Sequence, residues 1–120
     1  MVQAYTAAFE AKDVDAIMEL FVDDAVMMGT GPGEVWAGKD SIRAAHIAFT
    51  ADLERESSER TLVGSGMEGN TAWYTGYSVI AHSVGGKERS FQLNISLVLQ
   101  KVGDGWKIAS FHMSNLTGGE

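Results

Sequence analysis

Between residues 90 and 100 the side chains alternate without a break. Phe91, Leu93, Ile95, Leu97 and Leu99 fall on one face of an extended chain, and Ser90, Gln92, Asn94, Ser96, Val98 and Gln100 on the other. Side chains on a strand alternate faces with period two, so this pattern belongs to a sheet. The alternation starts near Arg60 and is cut by Glu68-Gly69-Asn70, Gly85-Gly86 and Gly103-Asp104-Gly105. These turn signals predict four strands, at about 58–67, 71–83, 88–102 and 106–115. Short turns between long strands predict an antiparallel meander, not crossover units.

The first half has a helical period. Val2, Tyr5 and Phe9 form one apolar stripe. Lys12-Asp13 interrupts it, and Asp13 is a good N-cap for a second helix that turns Val14, Ile17, Leu20 and Phe21 inward. Asp23-Asp24 ends that helix, and Ala25–Met28 suits a short strand. Gly29-Thr30-Gly31-Pro32-Gly33 reads as a loop. A third helix starts near Asp40 with Ile42, Ala45, His46, Phe49 and Leu53 on one face. Helices followed by a sheet predict an α+β fold with the helices on one sheet face.

That leaves the second face to be explained. Five consecutive large apolar positions match water poorly, so the sheet is expected to pair with a second copy of the chain. Either the polar row lines an internal cavity or the assignment is reversed. In the last strand, Trp106, Ile108, Ser110, His112 and Ser114 share a face; a shift of one residue brings Ala109, Phe111 and Met113 inward instead.

At 120 residues the chain is read as one domain, 1–120, and its 45% hydrophobic content with one proline is that of an ordinary globular protein. With no cysteine, disulfides, thiolate zinc sites, iron–sulfur clusters and thiol nucleophiles are excluded. No stretch approaches the ~20 apolar residues of a membrane span, and Met1–Glu10 lacks the regions of a secretory signal, so a cytoplasmic location is expected. Residues 1–60 hold twelve acidic and five basic side chains, and the second half four of each. An acidic chain repels phosphate, so neither nucleic acid nor an anionic membrane is expected as a partner.

Few motifs survive inspection. Gly33–Asp40 has the spacing of a phosphate-binding loop, but Asp40 stands where a Ser or Thr must hold magnesium, and Trp36 is too bulky for a loop that wraps phosphates. His46, His82 and His112 are far apart and form no short ligand pair, so neither a metal nor another cofactor is expected. From residue 58 onward the carboxylates are Glu59, Glu68, Glu88, Asp104 and Glu120, at turns, ends or the first, edge-like strand, and no buried carboxylate base is expected among them. Tyr77, Asn94, Ser96, Ser110 and His112, taken as inward-facing, are more polar groups than a sealed core tolerates, which argues for a pocket.

The run from Val2 to Asp15, then Leu20-Phe21-Val22-Asp23-Asp24-Ala25, Trp36–Ile42, Ala72-Trp73-Tyr74 and Gly105–Ser114 resemble the nuclear transport factor 2-like superfamily. Within it the chain is similar to SnoaL-like domains of the type related to the kinase II association domain. The resemblance implies a cone-shaped, curved antiparallel sheet whose concave face is covered by three N-terminal helices, a cystatin-like roll. It also implies a homodimer through the outer sheet face and a pocket for a small molecule.

Against ketosteroid isomerase, Tyr5 falls at the oxyanion-hole tyrosine, the base at Gly29 or Thr30, and the second aspartate near Asn94 or Ile95. Two of those three catalytic groups are therefore missing. Many SnoaL-like domains carry Arg-Leu-Thr and His-x-His where this chain has Asn94-Ile95-Ser96 and Ser110-Phe111-His112. The loss of that arginine and histidine implies a neutral or weakly polar ligand.

The resulting expectation is a pocket walled by Trp36, Trp73 and Tyr77, with Asn94 and Ser96 as polar contacts. Proton transfer, as in an isomerase, cyclase or dehydratase, would use His112 or His46 as general base, with Tyr5 or Asn94 stabilising an oxyanion. The alternative expectation is a noncatalytic ligand-binding or dimerisation module.

Overall fold

The structure is a computed structural model and describes residues 2–115; Glu120, counted among the carboxylates above, lies outside them. The element order is α1 (Val2–Glu10), α2 (Val14–Glu19), β1 (Phe21–Met28), β2 (Val35–Ala37), α3 (Lys39–Ala51), β3 (Leu53–Glu68), β4 (Thr71–Val84), β5 (Lys87–Val102) and β6 (Gly105–Asn115). The six strands form one strongly curled sheet in the order β2-β1-β6-β5-β4-β3, an α+β fold with three helices on its inner side. The meander β3–β6 is antiparallel throughout. β1 runs parallel to β6, so the sheet as a whole is mixed.

The break between the first two helices has a defined chemistry. The Asp13 N–H donates to the Ala8 carbonyl and the Lys12 N–H to that of Phe9, both at 2.9 Å. This paired closure needs a left-handed residue, and Lys12 supplies it at φ 57° in the place glycine usually takes. Its ammonium donates to the carbonyl of Leu53, which ties the helical corner to β3. Asp13 then caps α2 by accepting from the Ala16 N–H at 3.1 Å.

Two boundaries differ from the periodicity reading. Phe21 and Leu53 were expected on helix faces; each is the first residue of a strand and buried all the same. A buried apolar residue beside a helix end satisfies either pattern, because the contact does not depend on the backbone's period. The short strand β2, in a stretch between the loop and the third helix to which the periodicity assigns no element, pairs with β1 from Val26 to Met28.

The face question resolves in favour of the apolar row. Leu93 and Leu97 are buried, Phe91, Ile95 and Leu99 partly so, and Gln92, Asn94, Ser96 and Val98 are exposed on the convex side. The core combines Ile17 and Met18 of α2, Ile42 and Ala45 of α3, Phe21, Ala25 and Met27 of β1, and Leu97, Ile108 and Phe111 of the meander. In β6 the face changes midway. A register irregularity opposite Val98 and Leu99 leaves Ala109 as the extra residue, so Ile108 and Phe111 are both buried while Ser110 and His112 are exposed. The shared face assigned to Ile108 and His112 is thereby corrected: one extra residue inverts the parity of everything after it.

Candidate functional site

The curl of the sheet, with α1 and α3, forms an open-mouthed cavity of about 420 Å³, within the range of small-molecule sites. Its walls are mostly apolar: Phe9 from α1, Phe49 from α3, Ile80 from β4, Phe91, Leu93, Ile95 and Leu97 from β5, and Phe111 and Met113 from β6. Trp36 closes one side, its ring edge-on to Phe49 at 5.5 Å. Gly29 makes this closure possible. A Cβ there would lie 3.0 Å from the Trp36 ring and 2.6 Å from Glu34 Oε1. Glu34 holds the intervening turn by accepting from the Gly31 N–H at 2.7 Å.

Beneath the wall, Tyr5 meets His46. Tyr5 Oη lies 2.8 Å from His46 Nε2, and His46 Nδ1 lies 2.9 Å from the Ile42 carbonyl oxygen. A carbonyl can only accept, so Nδ1 carries the proton. His46 is fully buried, with Phe9, Phe21 and Phe49 around it at 5.5–6.0 Å. Burial pushes its pKa down, offset in part by the bond to Ile42, and keeps the ring neutral near pH 7. Nε2 is then an acceptor and the Tyr5 hydroxyl donates to it. Burial raises the Tyr5 pKa, and the nearby charge of Glu56 raises it further.

The polar side of the cavity is built by β3, β4 and β5. Glu56 stands directly opposite His82, and His82 directly opposite Arg89, which makes one cross-strand row of carboxyl, imidazole and guanidinium at the cavity wall. Burial, and then the charge of Glu10, push the Glu56 pKa up to about 7. Its Oε1 is 3.9 Å from His82 Nδ1, close enough for an ion pair and too far for a hydrogen bond. Burial lowers the His82 pKa, and so does the charge of Arg89. Deeper along β3, Ser58 and Arg60 also line the cavity, and Arg60 donates to the Thr6 hydroxyl. Among the described residues, no cluster of three or more His, Asp or Glu side chains could hold a metal.

The residues expected from sequence divide sharply. Tyr5 and Trp36 line the cavity, and His46 sits directly behind Tyr5. His112, Trp73, Tyr77, Asn94 and Ser96 do not line it. Trp73 pairs with Val98, Tyr77 with Asn94, and Ser96 with His112, all on the convex side. The assignment of these five to the pocket is corrected, because the alternating rows face the opposite way. Trp73 instead lies 44% exposed across Gly66, where a side chain would collide with the indole.

The sequence reading missed Glu56, Arg60, His82 and Arg89 as cavity residues. Ending the third helix near Leu53 and starting the strand at 58 left Glu56 in an unassigned gap. The usable signal was the alternation that begins at Glu54. An irregularity between Leu53 and Arg55 places both Leu53 and Glu56 on the inner side, although they are three residues apart.

Residues 1–118 match the SnoaL-like domain family. No protein of curated function matches the chain. Several solved structures share its fold. One is a protein from Novosphingobium aromaticivorans provisionally named an aromatic ring hydroxylase, 23% identical, with a TM-score of 0.86 over 97% of this chain and 84% of that one. Another, provisionally named a dehydratase of the nuclear transport factor 2-like family, comes from Streptomyces avermitilis; it is 22% identical, with a TM-score of 0.84 over 96% and 91%. A third, from Xanthomonas campestris, is provisionally named a calcium/calmodulin-dependent protein kinase II association domain; it is 20% identical, with a TM-score of 0.82 over 97% and 83%. At these identities the likeness speaks for the fold alone. With the family match spanning nearly the whole chain, the protein belongs to the SnoaL-like domain family.

Proposed function

We propose that the cavity binds a small, mostly apolar molecule and that Glu56 moves a proton on it, as in an isomerase or dehydratase. The observation that carries this reading is a carboxyl with a pKa near 7 on the wall of an apolar cavity. Such a group accepts and returns a proton at neutral pH with little cost in either direction. In the simplest cycle the Glu56 carboxylate takes a proton from the carbon beside a carbonyl. The electron pair moves onto the carbonyl oxygen, and the Glu56 acid returns the proton to another carbon. Arg60, on the same strand and the same wall, would supply positive charge to the enolate. Tyr5 is not the donor at rest, since its O–H is already directed at His46 Nε2. His46 is the positioning residue that fixes Tyr5.

The test is proton exchange on a simple ketone. Incubated with 2-tetralone in deuterium oxide near pH 7, the protein is expected to speed loss of the α-proton signals in NMR spectra. Glu56→Gln is expected to lower that rate ~100-fold or more. Exchange no faster than in buffer for this and related aryl ketones, or equal rates for both proteins, would overturn the catalytic assignment.

A second reading, a self-associating module, draws on the convex side. Across β4, β5 and β6 that side carries Trp73, Thr75, Tyr77, Val79, Asn94, Ser96, Val98, Ser110 and His112, with no Asp, Glu, Lys or Arg in these rows. Such a face in a chain of net charge −7 suits a second copy of itself. The two readings are compatible, because this face is opposite the cavity.

A further inference from the structure

We infer that the ligand of this cavity carries one carboxylate, or an anionic group of the same shape, which Arg89 and His82 hold at the edge of the cavity while its apolar body lies against Phe91 and Ile80. The inference deepens the small-molecule reading above and rests on it.

Four observations carry it. Arg89 lines the cavity from the start of β5, yet it makes no hydrogen bond or ion pair among the described residues. In a chain with sixteen acidic side chains and nine basic ones, a guanidinium left without a carboxylate partner beside a cavity is available for a ligand. His82 stands directly opposite Arg89 on β4, so the two donors are side by side on one wall. Next along the sheet comes the row of Ser58, Ile80 and Phe91, with Phe91 opposite Ile80. An apolar ring seated there has its acidic end beside Arg89. Guanidinium and carboxylate match as a planar, two-bond pair, which a neutral amide or alcohol cannot reproduce.

The two carboxyls of the cavity do not oppose this. Glu34 is engaged with the Gly31 N–H. Glu56 holds its proton up to about pH 7, so below that pH it presents an uncharged acid to the ligand. The expectation of a neutral ligand came from a missing arginine in β5 near Asn94. The cavity meets a ligand with two other guanidiniums, those of Arg60 and Arg89.

The test compares 2-naphthoate with 2-naphthamide, which has nearly the same size and shape without the charge, by isothermal titration calorimetry at pH 6. The unmodified protein is expected to bind the naphthoate roughly ten-fold tighter or more. Arg89→Gln is expected to erase that preference while leaving naphthamide affinity in place, and Arg89→Lys to keep part of it. Arg89 is exposed, so these variants are expected to fold. Equal or tighter binding of the amide overturns this inference and leaves the small-molecule reading standing. A preference that survives Arg89→Gln overturns it too. Binding of neither probe removes the small-molecule reading, and this inference with it.

Discussion

The hydroxyl of Tyr5 donates a hydrogen bond to Nε2 of His46, 2.8 Å away, and the direction of that bond is fixed from the far side of the ring by the Ile42 carbonyl. A histidine beneath a pocket invites the role of general base. Here both of its nitrogens are engaged, it is fully buried and it is neutral near pH 7. The pair therefore acts as a strut between α1 and α3, and it sets which atoms of Tyr5 the cavity can use. Under the function proposed above, the proton-moving role falls to Glu56.

Breaking this strut from either end should be costly in stability. Tyr5→Phe leaves Nε2 of a buried ring without its donor, for an expected loss of about 1–3 kcal/mol. His46→Ala removes the ring from among three phenylalanines and should cost about 3–5 kcal/mol. Urea denaturation of the two single variants and the double variant measures both. The losses should be less than additive, because the partners share one bond. Strict additivity would show that the bond does not form.

Glu56 should make stability fall as pH rises. Its carboxyl keeps the proton to about pH 7 in the folded chain but loses it near 4.5 when unfolded. Between those values the folded state binds more protons, so each rise in pH favours unfolding. The contribution is intact below about pH 4.5 and lost above about pH 7, and it amounts to at most about 3 kcal/mol. His46 and His82, with lowered pKa values, act in the opposite sense below about pH 6.5. The comparison is therefore of the protein with Glu56→Gln at each pH. The variant should gain stability relative to the parent from pH 5 to pH 8, and parallel curves would refute the raised pKa.

Gly29→Ala should open the Trp36 side of the cavity. The added methyl meets both the indole and the Glu34 carboxylate, and one of them has to move. An expected cost of about 1–3 kcal/mol follows. Trp36 emission should shift to longer wavelength as the ring becomes wetter. The Trp73→Phe, Trp106→Phe background isolates that signal.

The convex side should tolerate loss of His112 and respond to charge. His112→Ala is expected to leave naphthoate and naphthamide binding unchanged, since the side chain is exposed opposite the cavity. Trp73→Glu should convert a dimer to a monomer in light scattering while ligand binding persists. A parent that is already monomeric would remove the basis for that interface.

The plan of this protein is legible in its order of residues. Periods of three to four residues followed by a period of two, together with turn glycines, defined three helices before a four-stranded meander, with ends within a few residues except where β3 reaches back to Leu53. They also marked Tyr5 and His46 as residues of one interior, through the stripes each shares with apolar neighbours. What the sequence left undecided was which face of the sheet is inside. Alternation defines two faces and names neither, and a single extra residue at Ala109 or near Leu53 exchanges them without changing the pattern before it. Only the curled sheet, with helices committed to one side, turned His112 outward and Glu56, His82 and Arg89 inward. A row of three side chains from three strands exists through hydrogen-bond register, and register is a property of the folded sheet.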